Sequence, residues 1–125
     1  MQVIEQIHPE TTPLAGIAHV TWASQAQGLK QLSIWRQSMA PGKFTPPHSH
    51  DCDEVVLCLG GSGEVHSDGQ VRRFGADTTL VLPSGQVHQI FSVGTTPLET
   101  LGILASTPVI TRSPQGQALD LPWRS

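Results

Sequence analysis

Short runs of alternating polar and apolar residues, each closed by glycine or proline, organise this chain. Gln31 to Met39 is the clearest of them. Leu32, Ile34, Arg36 and Ser38 fall on one face of an extended strand, and Ser33, Trp35, Gln37 and Met39 fall on the other. Ile17 to Trp22, Val55 to Leu59, Glu64 to His66, Val71 to Phe74, Thr78 to Leu82, Val87 to Val93 and Leu98 to Ala105 read as further strands. Ser67-Asp68-Gly69-Gln70 carries the Asp-Gly pair of a tight hairpin, and Pro83-Ser84-Gly85 and Gly94-Thr95-Thr96-Pro97 mark other reversals. Ser24 to Leu29 has a weak helical option that Gly28 undercuts. Connections this short pair neighbouring strands antiparallel, and strands at this spacing build a sandwich or barrel.

Composition narrows the picture. The chain has 125 residues with twelve glycines, ten prolines, 14% charged residues and six histidines. That length is one domain, spanning residues 1–125, and it buries about two-thirds of its unfolded surface without disulfide staples. Low charge and frequent turns exclude a coiled coil or a disordered tail. A net charge of −3, with no basic cluster beyond Arg72-Arg73, excludes a nucleic-acid footprint. Apolar runs of about five residues fall far short of the roughly twenty that span a bilayer as a helix. Met1 to Glu10 lacks the basic and apolar regions of a secretory leader, so a cytoplasmic protein is expected, with Cys52 and Cys58 reduced.

The chemistry concentrates in Gly42 to Glu54. His48 and His50 lie two apart, so on a strand both imidazoles leave the same face, and Glu54 shares their parity. His88 follows the Pro83-Ser84-Gly85 turn, where closure of a barrel turns it toward that pair. Each residue alone has an ordinary explanation as a polar strand face, a solvated carboxylate or a turn histidine. Together, three imidazoles and a carboxylate suit one divalent transition ion (Fe, Mn, Co, Ni, Cu or Zn).

These segments resemble the two motifs of the cupins. Gly42, His48, His50, Glu54 and Gly61 match G-x5-H-x-H-x3-E-x6-G at every position. Pro83, Gly85 and His88 match the core of the second motif, with Ser92 where asparagine is usual and with seven residues rather than five separating Gly75 from Pro83. That departure predicts a bulge or a longer turn before Pro83. The resemblance covers residues 42–92. It implies a single antiparallel jelly-roll β-barrel, with His48, His50, Glu54 and His88 around a metal inside it. Two functions follow as expectations. One is a metalloenzyme on a small organic molecule, dioxygenase-like first and isomerase or lyase second. The other is a non-catalytic cupin that binds or senses a small ligand over a structural metal.

Other residues are read more plainly. Cys58 shares the face of Glu54 and reads as a small buried hydrophobe, and Cys52 lies in the loop between candidate ligands. Glu64 and His66 read as hairpin-face residues. Of Arg36 and Gln37 only one can face inward. Trp22, Trp35, Phe44 and Phe91 read as core or interface rather than as ligand platforms. Gln31 and Gln89 are pocket candidates without a discriminating signal. Met1 to Val20 and the Leu119 to Trp123 tail lie outside the motif core, and they are expected to pair two barrels as a homodimer with Trp123 as an anchor.

Overall fold

Alternating burial is clearest in the strands Glu54–Gly60, Ser62–Ser67 and His88–Ser92, and there it decides which residues reach the interior. A computed structural model describes residues 1–125. The strands are β1 (Glu10–Thr11), β2 (Ile17–Ala23), β3 (Ser33–Met39), β4 (Ser49–His50), β5 (Glu54–Gly60), β6 (Ser62–Ser67), β7 (Gln70–Gly75), β8 (Thr79–Leu82), β9 (His88–Ser92), β10 (Leu98–Leu104), β11 (Thr111–Arg112) and β12 (Ala118–Leu119). There is no α-helix. Gln25–Gln27 is one 3-10 turn, capped by Ser24 and Gln27 and ended by Gly28 in the left-handed region.

One layer is a six-stranded sheet in the order β1-β2-β3-β10-β5-β8. The other contains β7-β6-β9 and β12-β11-β4, joined by bridges between Phe44 and Phe91 and between His48 and His88. All pairings are antiparallel, and the two layers form the jelly roll. The eight long strands expected from the sequence are all present, with ends shifted by one or two residues. The two-residue strands β1, β4, β11 and β12 carry too little pattern to be read from sequence.

Local chemistry sets the turns. Asp68 and Gly69 both have positive φ, at 51° and 70°, as a type I′ hairpin requires, and Ser67 pairs with Gln70 across it. Gly61, at φ 80°, sits where a Cβ would run into the Pro97 carbonyl. The extra length before Pro83 goes into the turn at Gly75 to Thr78, with Asp77 at φ 67°, and the β5–β8 register stays regular. The longer turn is therefore present and the strand carries no bulge.

The core has two clusters. Ile17, Met39, Cys58, Val65, Phe74, Ile90 and Leu98 form one. Trp35, Cys52, Leu104 and Val109 form the other, with Leu121 and Trp123 packed against it. Residues 121–125 thus fold back onto their own barrel. Trp123 stacks on His19 at a centroid distance of 3.9 Å, so it is not the exposed interface anchor expected from sequence.

Candidate metal centre

A pair of backbone hydrogen bonds brings the two sequence segments together. The His48 amide donates to the His88 carbonyl at 3.0 Å, and the His88 amide donates to the His48 carbonyl at 2.8 Å. The neighbouring Gly85 amide donates to the His50 carbonyl at 2.8 Å, and the Ser84 amide to Asp53 Oδ1 at 2.9 Å. These contacts leave the His48 and His88 rings with centroids 4.5 Å apart, and those of His48 and His50 5.0 Å apart. One nitrogen from each of His48, His50 and His88 lies within 4.8 Å of the others.

The opposite nitrogen of each ring is engaged. His48 Nδ1 lies 2.7 Å from the Pro46 carbonyl, and His88 Nδ1 lies 3.0 Å from that of Gln86. A carbonyl only accepts, so Nδ1 carries the proton in both rings and Nε2 keeps its lone pair. His50 Nδ1 lies 3.0 Å from the Thr111 hydroxyl. Such partners fix the tautomer and the plane of metal-ligating imidazoles. Thr111 is held opposite His50 by the β4–β11 pairing, and Arg112 clamps Asp51 through both carboxylate oxygens.

Glu54 comes from the facing sheet. Its Oε2 lies 3.0 Å from His50 Nε2 and 3.9 Å from His88 Nε2. Glu54 Oε2 and His88 Nε2 are both buried without a hydrogen-bond partner. Orphaned buried polar atoms are costly, and a shared cation would satisfy both. The three-histidine cluster therefore fits a metal site. The donor set of imidazole nitrogens with a carboxylate oxygen beside them suits a borderline transition ion.

Burial favours the neutral, ligating form of His48 and His88. Burial, with the neighbouring His88, pushes the His48 imidazole down to about 4. Burial also lowers His88. For Glu54, burial is the largest single influence and works upward, but His50, His88 and His48 together outweigh it and the carboxyl titrates below its ordinary value.

A chamber of about 340 Å³ opens beside this cluster. Leu14, Ile17, Ile90 and Pro46 supply apolar wall, Trp35 and Trp123 supply aromatic wall, and Leu119 to Trp123 of the tail complete it. Gln37, Thr45 and Thr111 add neutral polar groups. Beyond His48, His50, His88 and Glu54, Asp120 is the one ionisable side chain on the wall. Trp35, expected as core or interface, is both core and chamber wall. Its parity with Gln37 was the available sign. Thr111 and the tail gave none, since nothing in their own stretches encodes the approach.

The remaining candidates lie elsewhere. Arg36 is on the outer face of the six-stranded sheet, donating to Glu99 Oε2 at 2.6 Å, while Gln37 is the inward member of the pair. Glu64 and His66 pair at 2.7 Å on the outer face of β6, as hairpin-face residues do. Gln89 spends its amide on the Thr45 carbonyl. Phe44 is 54% exposed and lies against Phe91, away from the chamber. Cys52 and Cys58 are buried free thiols whose pKa burial raises, so both act as packing residues.

A jelly roll with three imidazoles gathered from two motifs, and a carboxylate beside them, defines a cupin. Within that class, a profile of auxin-binding proteins matches residues 1–115, and the chain belongs to that family. Auxin-binding protein 1 of Arabidopsis thaliana is 36% identical over 104 residues, covering 75% of this chain and 52% of the relative. Auxin-binding protein T92 of Nicotiana tabacum is 31% identical over 118 residues, covering 85% and 63%. The chain thus spans between half and two-thirds of the length of these curated relatives. Among solved structures, a protein titled a predicted oxalate decarboxylase from Thermotoga maritima superposes with a TM-score of 0.73 at 25% identity, covering 84% of this chain and 99% of that one. An oxalate oxidase in complex with the substrate analogue glycolate gives 0.67 at 28%, covering 77% and 53%.

The lowered histidines carry a sign. In metal-free protein, unfolded chains take up protons at these rings below about pH 6.5, whereas folded His48 stays neutral to about pH 4 and His19 to about pH 3. The unfolded state then binds more protons, so stability falls with acidification in that window. Each ring contributes a loss of about 2 kcal/mol between pH 7 and pH 5. Urea unfolding of chelator-treated protein at the two pH values checks this. Equal or greater stability at pH 5 would contradict it.

Proposed function

We propose that this chain is a metal-anchored binding protein for a small planar organic acid. His48, His50, His88 and Glu54 hold one divalent ion, and the carboxylate of the ligand completes its coordination. The observation that carries this reading is the chamber. Its wall is apolar and aromatic, its size suits a small organic molecule, and it has no cationic side chain to meet an anion. A metal bound there supplies the positive Lewis-acid position that the wall lacks. Trp35 and Trp123 offer faces to a flat ring, while Gln37 and Thr45 offer neutral polar contacts. The relatives named for auxin binding support a small-ligand role for the chamber.

The catalytic alternative, an oxygen-dependent or redox-neutral metalloenzyme, draws on the likeness to oxalate oxidase. It is the weaker reading, because Asp120 is the one ionisable wall group beyond the metal-site residues, and it is exposed on the tail. A general acid or base must be held in a fixed position against the reacting atoms, and an exposed carboxylate on the tail is not held so.

A second copy of the chain is proposed as partner through the outer face of the six-stranded sheet. Val55, Leu57, Leu101 and Ile103 lie there beside Leu59 at 51% exposure and Val81 at 70%. A contiguous apolar face of this kind marks an association surface. Light scattering at micromolar concentration is expected to give about twice the 13.4 kDa chain mass, and the chain mass itself would contradict the dimer.

Calorimetry with indole-3-acetate tests the binding reading. Zinc-loaded protein is expected to bind it with a micromolar or tighter constant, chelated protein at least tenfold more weakly, and the acid is recovered unchanged. Equal affinity with and without metal, or conversion of the acid in air, would overturn the reading.

A further inference from the structure

His19 lies behind the chamber wall rather than on it, yet it touches three residues that line the chamber, Trp35, Gln37 and Trp123. It is 6% exposed, in the interior face of β2. Its ring stacks on Trp123 with planes 12° apart and meets Trp35 edge-on at 5.4 Å. Gln37 Nε2 lies 2.9 Å from His19 Nδ1, and Thr21 Oγ1 lies 2.7 Å from His19 Nε2. The Thr21 hydroxyl donates to the carbonyl of Arg124 at 2.7 Å.

The direction of every bond in this chain follows from its last member. A backbone carbonyl only accepts, so the Thr21 hydroxyl spends its proton on Arg124. Thr21 Oγ1 must then accept from His19, which puts the ring proton on Nε2. His19 Nδ1 is left as an acceptor, and it takes a proton from the Gln37 amide nitrogen. Burial, which pushes the imidazole down to about 3, keeps the ring neutral as this scheme requires. The amide plane of Gln37, a chamber residue, is therefore set by a carbonyl in the C-terminal tail. The same tail contributes Leu119 to Trp123 to the chamber. Its far end is pinned separately, where the Val109 amide donates to Ser125 Oγ at 2.9 Å and the Thr107 hydroxyl donates to the Ser125 carbonyl at 3.0 Å.

We propose that His19 is a positioning residue that links docking of the C-terminal tail to the orientation of Gln37, so that the tail wall and the polar contact of the chamber form as one unit. This rests on the binding reading above for its effect on ligand, but not for its effect on the tail. The bonds that make the link are absent from the metal cluster, so the link acts on the chamber without acting on metal affinity.

Thr21→Val keeps the β-branched shape and removes the hydroxyl, which leaves His19 without its fixed partner. Two measurements follow it in zinc-loaded protein: hydrogen exchange of the amides in residues 119–125, and calorimetric binding of indole-3-acetate. Exchange of the tail is expected to rise about fivefold and affinity for the acid to fall about fivefold, the scale of one lost hydrogen bond. Zinc affinity by chelator competition stays at the wild-type value, and Thr21→Ser restores both readouts. His19→Leu, which removes both bonds and the stacking, gives larger changes in the same direction. Wild-type exchange and affinity in Thr21→Val would overturn the proposal, and so would a fall in zinc affinity that matches the fall for the acid. If wild-type protein fails to bind the acid, the binding reading fails by itself. Tail exchange then decides the link alone, raised exchange supporting it and unchanged exchange overturning it.

Discussion

The reciprocal hydrogen bonds between the backbones of His48 and His88 are the constraint on which the rest depends. They join residues forty positions apart and fix the angle at which two imidazoles enter the barrel. They also continue one layer of the jelly roll, since the same line of contacts carries the Phe44–Phe91 bridge and the pairing of Gly42 and Lys43 with Ser92. Fold and site are therefore not separate achievements of this sequence. Closing the second layer brings the histidines together, and the facing sheet then brings Glu54 against them.

That arrangement is costly without a cation. Glu54 Oε2 and His88 Nε2 are buried and unpartnered, and burial lowers the pKa of both His48 and His88. The carbonyls of Pro46 and Gln86 engage the Nδ1 protons of His48 and His88 and leave their Nε2 lone pairs directed inward rather than spent on the protein. Unsatisfied polar groups persist where function needs them, and a divalent ion would satisfy both. An ion held there would give the apolar chamber one strongly polar point, with aromatic walls leading to it.

The long strands, the Asp68-Gly69 hairpin and the convergence of His48, His50 and His88 were legible because each is written in a local pattern. Strand parity allowed only one of Arg36 and Gln37 to face inward without choosing between them, it placed Cys58 on the face of Glu54, and motif spacing grouped His48, His50, Glu54 and His88. What escaped was non-local. Thr111 reaches His50 only because β11 lies beside β4, and two-residue strands leave no periodic trace. Trp123 was read as an exposed anchor because nothing in Leu119 to Trp123 tells that the segment turns back onto His19 and Trp35. Gly75 to Pro83 shows an intermediate case: the extra length was visible, and the positive φ of Asp77 puts it in the turn rather than in β8.

The central claim is that one metal ion is held jointly by residues from both motifs. Elemental analysis of purified protein beside His48→Ala and His88→Ala tests it most directly. The account predicts close to one transition-metal ion per wild-type chain, and a small fraction of that in either variant while the β-sheet circular dichroism is retained. Equal metal content in all three folded proteins would contradict it.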